Sequence, residues 1–460
     1  MSSVSSADDV ELDLFFEELR RHEFGRLDAL GHVYLDYTGS GLYGESQVAR
    51  HAQLLQSSVF GNPHSRNPSS QAATRVVEGV RERVLVFFDA DPSEYELVFT
   101  LNASHALKLV GESYPFSPAS RFALASDNHN SAHGIREYAA AAGAEIVYLS
   151  PGPELRCPDL EARLPGADPA ASSLFVFPAQ SNFSGVKHPL SWVDCAHRLG
   201  YDVFLDAAAF APTSRLSLRE TAPDFVAVSF YKMFGYPTGV GALIAKRAAL
   251  ARLQRPWFGG GTVRFVSAQP GVVLPWHTGR GFEDGTLNFL DIAAIPAGLE
   301  FLESVGMQRI SRRVSSLTAR LVDGLASLRH TNGQPLVRLY GPPTACQDRG
   351  GTVAFNLLDP ADRLIDFRLV EERANAAGIS LRTGYFCNPG AAEYAFEHDE
   401  EEIRRCAEGF SPESWSLQAF ADCMRDGTVG AVRVSLGIAT NRADIDRFLE
   451  VLASFRDHSI

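Results

Sequence analysis

Between positions 97 and 245, short apolar runs alternate with stretches in which apolar residues recur at helical spacing. The runs at 95–100, 122–125, 145–149, 174–177 and 203–205 are rich in aliphatic and aromatic residues and predict strands. Strand-like runs separated by helical patterns predict a mainly parallel sheet covered by helices. Upstream, 13–26 and 69–88 carry the periodicity of amphipathic helices. Downstream, 292–328 predicts helices leading to a second unit, to which 352–358, 380–382 and 431–436 would supply a smaller sheet. The pattern divides the chain into an N-terminal helical segment (1–30), a large α/β domain (31–300) and a small α+β C-terminal domain (301–460). The charged stretch 397–405 reads as the solvated face of a helix.

Composition narrows the classes open to such a fold. The chain has 460 residues, 45% of them hydrophobic, enough for two sizeable packed units. A net charge of −13 argues against a nucleic-acid partner, which needs a basic face. No uninterrupted apolar run approaches the roughly 20 residues of a membrane span. The acidic N-terminus, Met1 to Asp9, lacks the basic and apolar regions of a signal peptide. The six cysteines are scattered, with no CxxC pair or zinc-like spacing. The expected setting is therefore a reduced cytoplasm, with neither structural metal nor disulfide framework.

Three places carry candidate chemistry. Lys232 ends the run Asp224-Phe-Val-Ala-Val-Ser-Phe-Tyr-Lys232, directly after a buried-type strand. A lysine there is costly unless paired or neutralised, and it either snorkels to water or forms a Schiff base with an aldehyde cofactor. Asp206 ends the neighbouring run Tyr201-Asp-Val-Phe-Leu-Asp206. It suits either a helix cap or a counter-ion that keeps a pyridine nitrogen protonated. A parallel sheet would bring both residues to its carboxyl edge, where ligands of open α/β sheets collect. The third place is the strand 95–100, followed by the turn Leu101-Asn-Ala-Ser104 and a helix expected from His105. Free N–H groups at such a helix start can cradle a phosphate, although this turn lacks the glycines of a nucleotide-binding loop. Together the three point to pyridoxal phosphate.

The sequence resembles the class-V, fold-type I pyridoxal-phosphate enzymes, and within them the cysteine-desulfurase-like domain of molybdenum cofactor sulfurases. The likeness runs from about Tyr34 to about Leu452 and rests on an ordered set of stretches. Among them are Tyr34-Leu-Asp-Tyr-Thr38, Gly61-Asn-Pro-His-Ser65, Asp127-Asn-His-Asn-Ser131, Ser229-Phe-Tyr-Lys232 and Phe282-Glu-Asp-Gly-Thr286. Arg382-Thr-Gly-Tyr-Phe-Cys-Asn-Pro-Gly390 and Val432-Arg-Val-Ser-Leu436 complete it. The resemblance implies a large domain with a seven-stranded-type, mainly parallel sheet between helices, and a smaller C-terminal domain.

It also implies roles. Lys232 matches the Schiff-base lysine, Asp206 the pyridinium partner and His129 the imidazole that stacks on the cofactor ring. Asn182 matches an asparagine near the cofactor hydroxyl and the substrate carboxylate. Ser104, Ser229 and the backbone around Ala103 match phosphate contacts. Tyr231 stands where many class-V enzymes carry a phosphate-binding histidine. Thr286 resembles a threonine reaching the phosphate of a neighbouring subunit, which implies a homodimer with shared active sites. Arg433, with Arg382 nearby, matches the grip on the substrate α-carboxylate, a task suited to a guanidinium fork. Cys387 matches the loop cysteine that takes sulfur from L-cysteine as a persulfide and passes it to an acceptor. The other reactions open to this scaffold are C–S lysis, epimerisation, decarboxylation and transamination of another amino-acid-like substrate. Those need Lys232 but no thiol, so Cys387 discriminates.

Some positions depart from the pattern. Ala209 stands where the wider class often has a glutamine, and Tyr385 and Ala392 stand where molybdenum cofactor sulfurases often have cysteine. The chain ends soon after the matching region, which implies no counterpart of the domain that holds the molybdenum cofactor in those enzymes.

Overall fold

The computed structural model describes residues 7–157, 159–269, 271–411, 413–414, 416–424 and 429–459. Seven strands form the large sheet: β1 (Tyr95–Thr100), β2 (Arg121–Ala125), β3 (Glu145–Leu149), β4 (Leu174–Pro178), β5 (Asp202–Asp206), β6 (Phe225–Ser229) and β7 (Gly241–Lys246). Their spatial order is β1-β7-β6-β5-β4-β2-β3. Only β7 runs antiparallel to its neighbours, β1 and β6. The other adjacent pairs are parallel.

Every residue of β4 and β6 is buried, which explains why these strands read as unbroken apolar runs. Alternate side chains enter different cores. Phe175, Phe177, Val203, Leu205, Val226 and Val228 face one side, with Val84, Trp192 and Leu299. Leu174, Val176, Phe204, Phe225 and Ala227 face the other, with Leu107, Val110 and Ile135. The sheet is thus sealed by helices on both faces, and polar chemistry is left to its edge.

The small sheet is antiparallel. Val337–Tyr340, Thr352–Leu358, Ala431–Ser435 and Arg382–Gly384 lie side by side in that order, and Leu364–Ile365 also pairs with Thr352–Leu358. The chain near the N-terminus joins this unit: Val33–Tyr34 pairs in parallel with Ile379–Ser380. Val33, Leu35, Val353, Val434 and Phe448 share one apolar core with Phe175 and Phe177 of the large sheet.

Two expectations are corrected. The first concerns the helix predicted from His105, which starts at Ala103. Asn102 caps it, its side-chain oxygen accepting the His105 N–H at 3.0 Å. Ala103 and Ser104 are therefore first-turn residues, with N–H groups that lack intrahelical partners. The second concerns disulfides: Cys406 is bonded to Cys423, tying helix Glu400–Glu408 to helix Leu417–Cys423. The two cysteines are 17 positions apart, and their pairing across two helices is not shown by linear cysteine spacing. No helix among the described residues is long and apolar enough to cross a membrane.

Candidate active site

Adjacent parallel strands deliver the two central groups. β5 ends in Asp206 and β6 ends in Ser229, with Asp206 in register beside Ala227. The chain then turns at once into the short helix Phe230–Phe234, which carries Lys232. The phosphate-type cradle comes from β1, two strands away, with β7 between. That spacing needs Gly241 on β7, because a Cβ there would sit 2.6 Å from Asn102 Cα and 2.7 Å from Val228 O. With the backbones this close, the Ala103 N–H donates to Ser229 Oγ at 2.9 Å.

These elements enclose a cavity of about 570 Å³, including its open mouth. Ala103, Ser104, His129, Asn182, Asp206, Ser229, Tyr231 and Lys232 all line it, as do Gln180 and Ala208. Asp206 serves its local turn as well, its Oδ1 accepting the Ala208 N–H at 2.9 Å. His129 accepts the Ser131 N–H at Nδ1 (3.1 Å), so the neutral ring carries its proton on Nε2. Burial and the neighbouring Lys232 charge hold the His129 pKa below its ordinary value, which favours that neutral ring. The Ser131 hydroxyl in turn donates to Ser104 Oγ at 2.6 Å, joining the histidine loop to the helix start. Burial pushes the Lys232 ammonium pKa down; Asp206 opposes the shift, and Arg433 and Arg382 add to it. Gln180 Oε1 is buried without a protein partner, a polar position that a bound molecule would satisfy.

The small domain brings a second group of side chains against this cavity. Arg433 and Arg382 lie opposite each other on paired strands. Asp36, from the N-terminal segment, accepts from both: Arg433 Nη2 at 2.9 Å and Arg382 Nη2 at 2.7 Å. Arg433 is only 2% exposed, and burial pulls its guanidinium down to about 10 despite Asp36. Its Nη1 donates to the Asn182 carbonyl at 3.0 Å, while Nε has no protein partner. Arg382 remains half exposed. Losing one member of a buried ion pair typically costs about 3–5 kcal/mol, so Asp36 is a structural anchor of the whole arginine group.

Cys387 is exposed on a loop that is tightly held. Phe386 and Cys387 both adopt left-handed backbone, at φ 57° and 54°. Asn182 Nδ2 donates to the Phe386 carbonyl at 2.7 Å, and the Asn130 N–H donates to the Cys387 carbonyl at 2.7 Å. Asn388 donates to Asn182 Oδ1 at 2.8 Å and to the Asp127 carbonyl at 2.7 Å. Gly390 lets the loop close on the large domain, since a Cβ there would lie 2.2 Å from Ser126 O. The Arg433 guanidinium sits 4.8 Å from the Phe386 ring centroid. Asn182 is thus occupied with the cysteine loop as well as lining the cavity. Thr286 lies apart from this group: it is exposed, and its hydroxyl accepts from Asn62 Nδ2 at 3.2 Å.

Two members of the site had no individual signal in the sequence. Gln180 has no motif of its own, and Asp36 is one position in a short matching stretch. Only the fold shows that Asp36 holds two arginines from the far end of the chain.

The family model for aminotransferase class-V matches residues 33–448. The chain belongs to the class-V aminotransferase family. Molybdenum cofactor sulfurase from Bos taurus is 37% identical to this class-V chain over 470 residues, covering 96% of the chain and 52% of that protein. The class-V chain therefore spans about half the length of the curated relatives it matches. The apo cysteine desulfurase from Thermococcus onnurineus NA1 superposes with a TM-score of 0.77 at 24% identity, over 99% of both chains. A C-DES variant with glycine covalently linked to its PLP cofactor superposes with a TM-score of 0.68 at 18% identity, over 94% of this chain and 98% of that one. These structures share the class-V fold seen here.

Proposed function

We propose that this class-V chain is a pyridoxal-phosphate-dependent cysteine desulfurase of the molybdenum-cofactor-sulfurase type. Its product would be L-alanine, with the sulfur held as a persulfide on Cys387. One observation carries the reading: an exposed thiol is fixed on a loop whose anchor, Asn182, also lines the cavity of Lys232 and Asp206. The C-DES and desulfurase folds and the 37% identical sulfurase support it.

The residues present fit pyridoxal phosphate. The first turn of helix Ala103–Ser113, with the Ser104 and Ser229 hydroxyls, suits its phosphate. Asp206 suits a pyridinium nitrogen, neutral His129 suits a ring face, and Lys232 suits its aldehyde. Gln180 Oε1 leaves a buried polar position open. When bound, the cofactor supplies an aldehyde for amine capture and an electron-withdrawing ring.

The chain's own groups divide the remaining work. Arg433, buried and with Nε free, orients the substrate carboxylate, and Arg382 adds charge beside it. Lys232, whose lowered pKa favours the free amine, takes and returns the proton at the substrate Cα. The Cys387 sulfur attacks the substrate sulfur: an S–S bond forms, the C–S bond breaks, and its electron pair stays on the β-carbon, which is then protonated. Cysteine and the Cys387 thiol thus become alanine and a Cys387 persulfide, with atoms balanced. The acceptor is a thiol or sulfur-binding group that reaches the exposed loop.

The test is incubation of cofactor-loaded protein with L-cysteine, measuring alanine, sulfide and the mass of the Cys387 peptide. Alanine with one added sulfur on that peptide is the expected result. Pyruvate and ammonia with an unmodified peptide would assign a lyase instead.

We also propose that the chain works as a homodimer. Trp257, Phe258, Phe265, Val266, Val273 and Leu274 are exposed together on and beside the hairpin formed by Val263–Val266 and Val273–Pro275. A contiguous apolar patch of this kind marks an association surface. Sedimentation should give twice the 50.1 kDa chain mass, shifting towards the monomer in Phe265→Asp. A monomer in the unsubstituted protein would remove the role proposed for Thr286.

A further inference from the structure

Behind the active cavity lies a second one, of about 1440 Å³ including its mouth, between helix Met307–Ser327 and the loop 342–350. Its wall carries three cations, Lys187, Arg312 and Arg349, and among the described residues no carboxylate lines it. That is unusual on a chain of net charge −13. Arg349 is the decisive member. It is 3% exposed, its Nη1 donates to the Pro342 carbonyl, and Nε and Nη2 have no partner. Nε and Nη2 form one edge of the guanidinium, the fork that meets an oxoanion with two parallel hydrogen bonds. A buried guanidinium with that edge unused is costly unless something occupies it.

The nearby carboxylates are already engaged. Arg156 pairs with Glu154 at 3.0 Å and also binds Asp348, so neither forms an ion pair with Arg349, although the Glu154 charge opposes part of the burial cost there. Lys187 is half-buried and forms no ion pair among the described residues; its nearest aromatic partner is the Phe210 ring, at 5.8 Å from the centroid. Burial lowers the pKa of both Lys187 and Arg349, the latter to about 10 against the opposing charges of Cys346 and Glu154, as expected for buried cations without an ion-pair partner. Thr213, Ser311 and Ser315 add hydroxyls around the same wall.

We propose that this cavity binds a small soluble phosphate ester or pyrophosphate, held by Arg349, Lys187 and Arg312. The site stands back to back with the active cavity. Arg349 bridges to Val186, and the Gly350 N–H donates to the Gly185 carbonyl at 2.7 Å. A Cβ on Gly350 would lie 2.1 Å from Gln180 Oε1, and Gln180 lines the first cavity. An occupant of the rear site therefore bears on the loop that carries Gln180 and Asn182.

The probe is radiolabelled pyrophosphate in equilibrium dialysis against the full chain loaded with pyridoxal phosphate, so that the front cradle is filled. One site per chain is expected, with a Kd of about 1 mM or tighter. In the double variant Lys187→Gln/Arg312→Gln, both half-exposed or exposed positions, Kd should rise at least about tenfold, or ~1.4 kcal/mol. Alkylation of Cys346, which lines the same cavity, locates the site. At ten times Kd, bound pyrophosphate should slow it about elevenfold, because the open fraction is 1/(1 + [L]/Kd). Absence of saturable binding overturns the proposal. So does equal affinity in the double variant, or equal displacement by chloride at matched ionic strength.

Discussion

Lys232→Ala is expected to abolish covalent cofactor attachment and to lower alanine formation from L-cysteine by at least about 10³-fold. Lys232 is the sole amine lining the cavity among the described residues, and it sits on the short helix directly after β6. Its proton is destabilised by burial, so at neutral pH a larger share is free amine than for a surface lysine. No neighbouring side chain duplicates that property. His129 is also basic, but its Nδ1 is committed to the Ser131 N–H. The measurement is borohydride reduction followed by peptide mass. A pyridoxyl adduct on the Lys232 peptide should appear in the unsubstituted protein and vanish in the variant. An adduct on another lysine, with turnover retained, would defeat the assignment. The fold should survive, because replacing a depressed-pKa lysine by alanine removes a desolvation cost.

Cys387→Ala is the sharper test, because it separates desulfuration from every other reaction this scaffold supports. Alanine formation should fall by at least about 10³-fold, while the borohydride adduct on Lys232 persists. The loop should hold its shape in the variant. Its anchors are backbone carbonyls of Phe386 and Cys387, met by Asn182 and Asn130, and none of these contacts uses the thiol. Alanine at φ 54° is no more strained than cysteine, since both carry a single unbranched Cβ. Turnover unaffected by the change would show that sulfur leaves without a protein thiol, and the lyase reading would replace the desulfurase.

The parts of this site that were legible in the sequence are those set by local pattern. Asp206 and Lys232 close apolar runs, so a parallel sheet was enough to bring them to one edge. The helix start at Ala103 was placed two residues late because Leu101-Asn-Ala-Ser reads as a turn until Asn102 is seen as a cap. Contacts closed over long separations were not legible. The Asp36–Arg433 bond spans 397 positions, and nothing near Asp36 marks it as the anchor of two arginines. Arg382 was expected to face substrate, yet Asp36 holds much of its guanidinium. The Cys406–Cys423 bond joins two short helices, a pairing that cysteine spacing alone does not mark. Arg349 gave no signal at all, because an unused hydrogen-bonding edge exists only once the chain has packed.

The Asp36–Arg433 closure also orders events during synthesis. Asp206, Ser229 and Lys232 are translated first, and their strands can pair once Lys246 has left the ribosome. Arg433 emerges nearly two hundred residues later, together with the strand Ala431–Ser435 that reaches back to the bridge at Asp36. A nascent chain therefore completes the floor of its cavity well before the arginine proposed to grip the substrate carboxylate. The early product of translation has the residues proposed to hold the cofactor and lacks Arg433, the residue proposed to orient an amino acid. On the proposed function, reaction waits until the strand Ala431–Ser435 has been made.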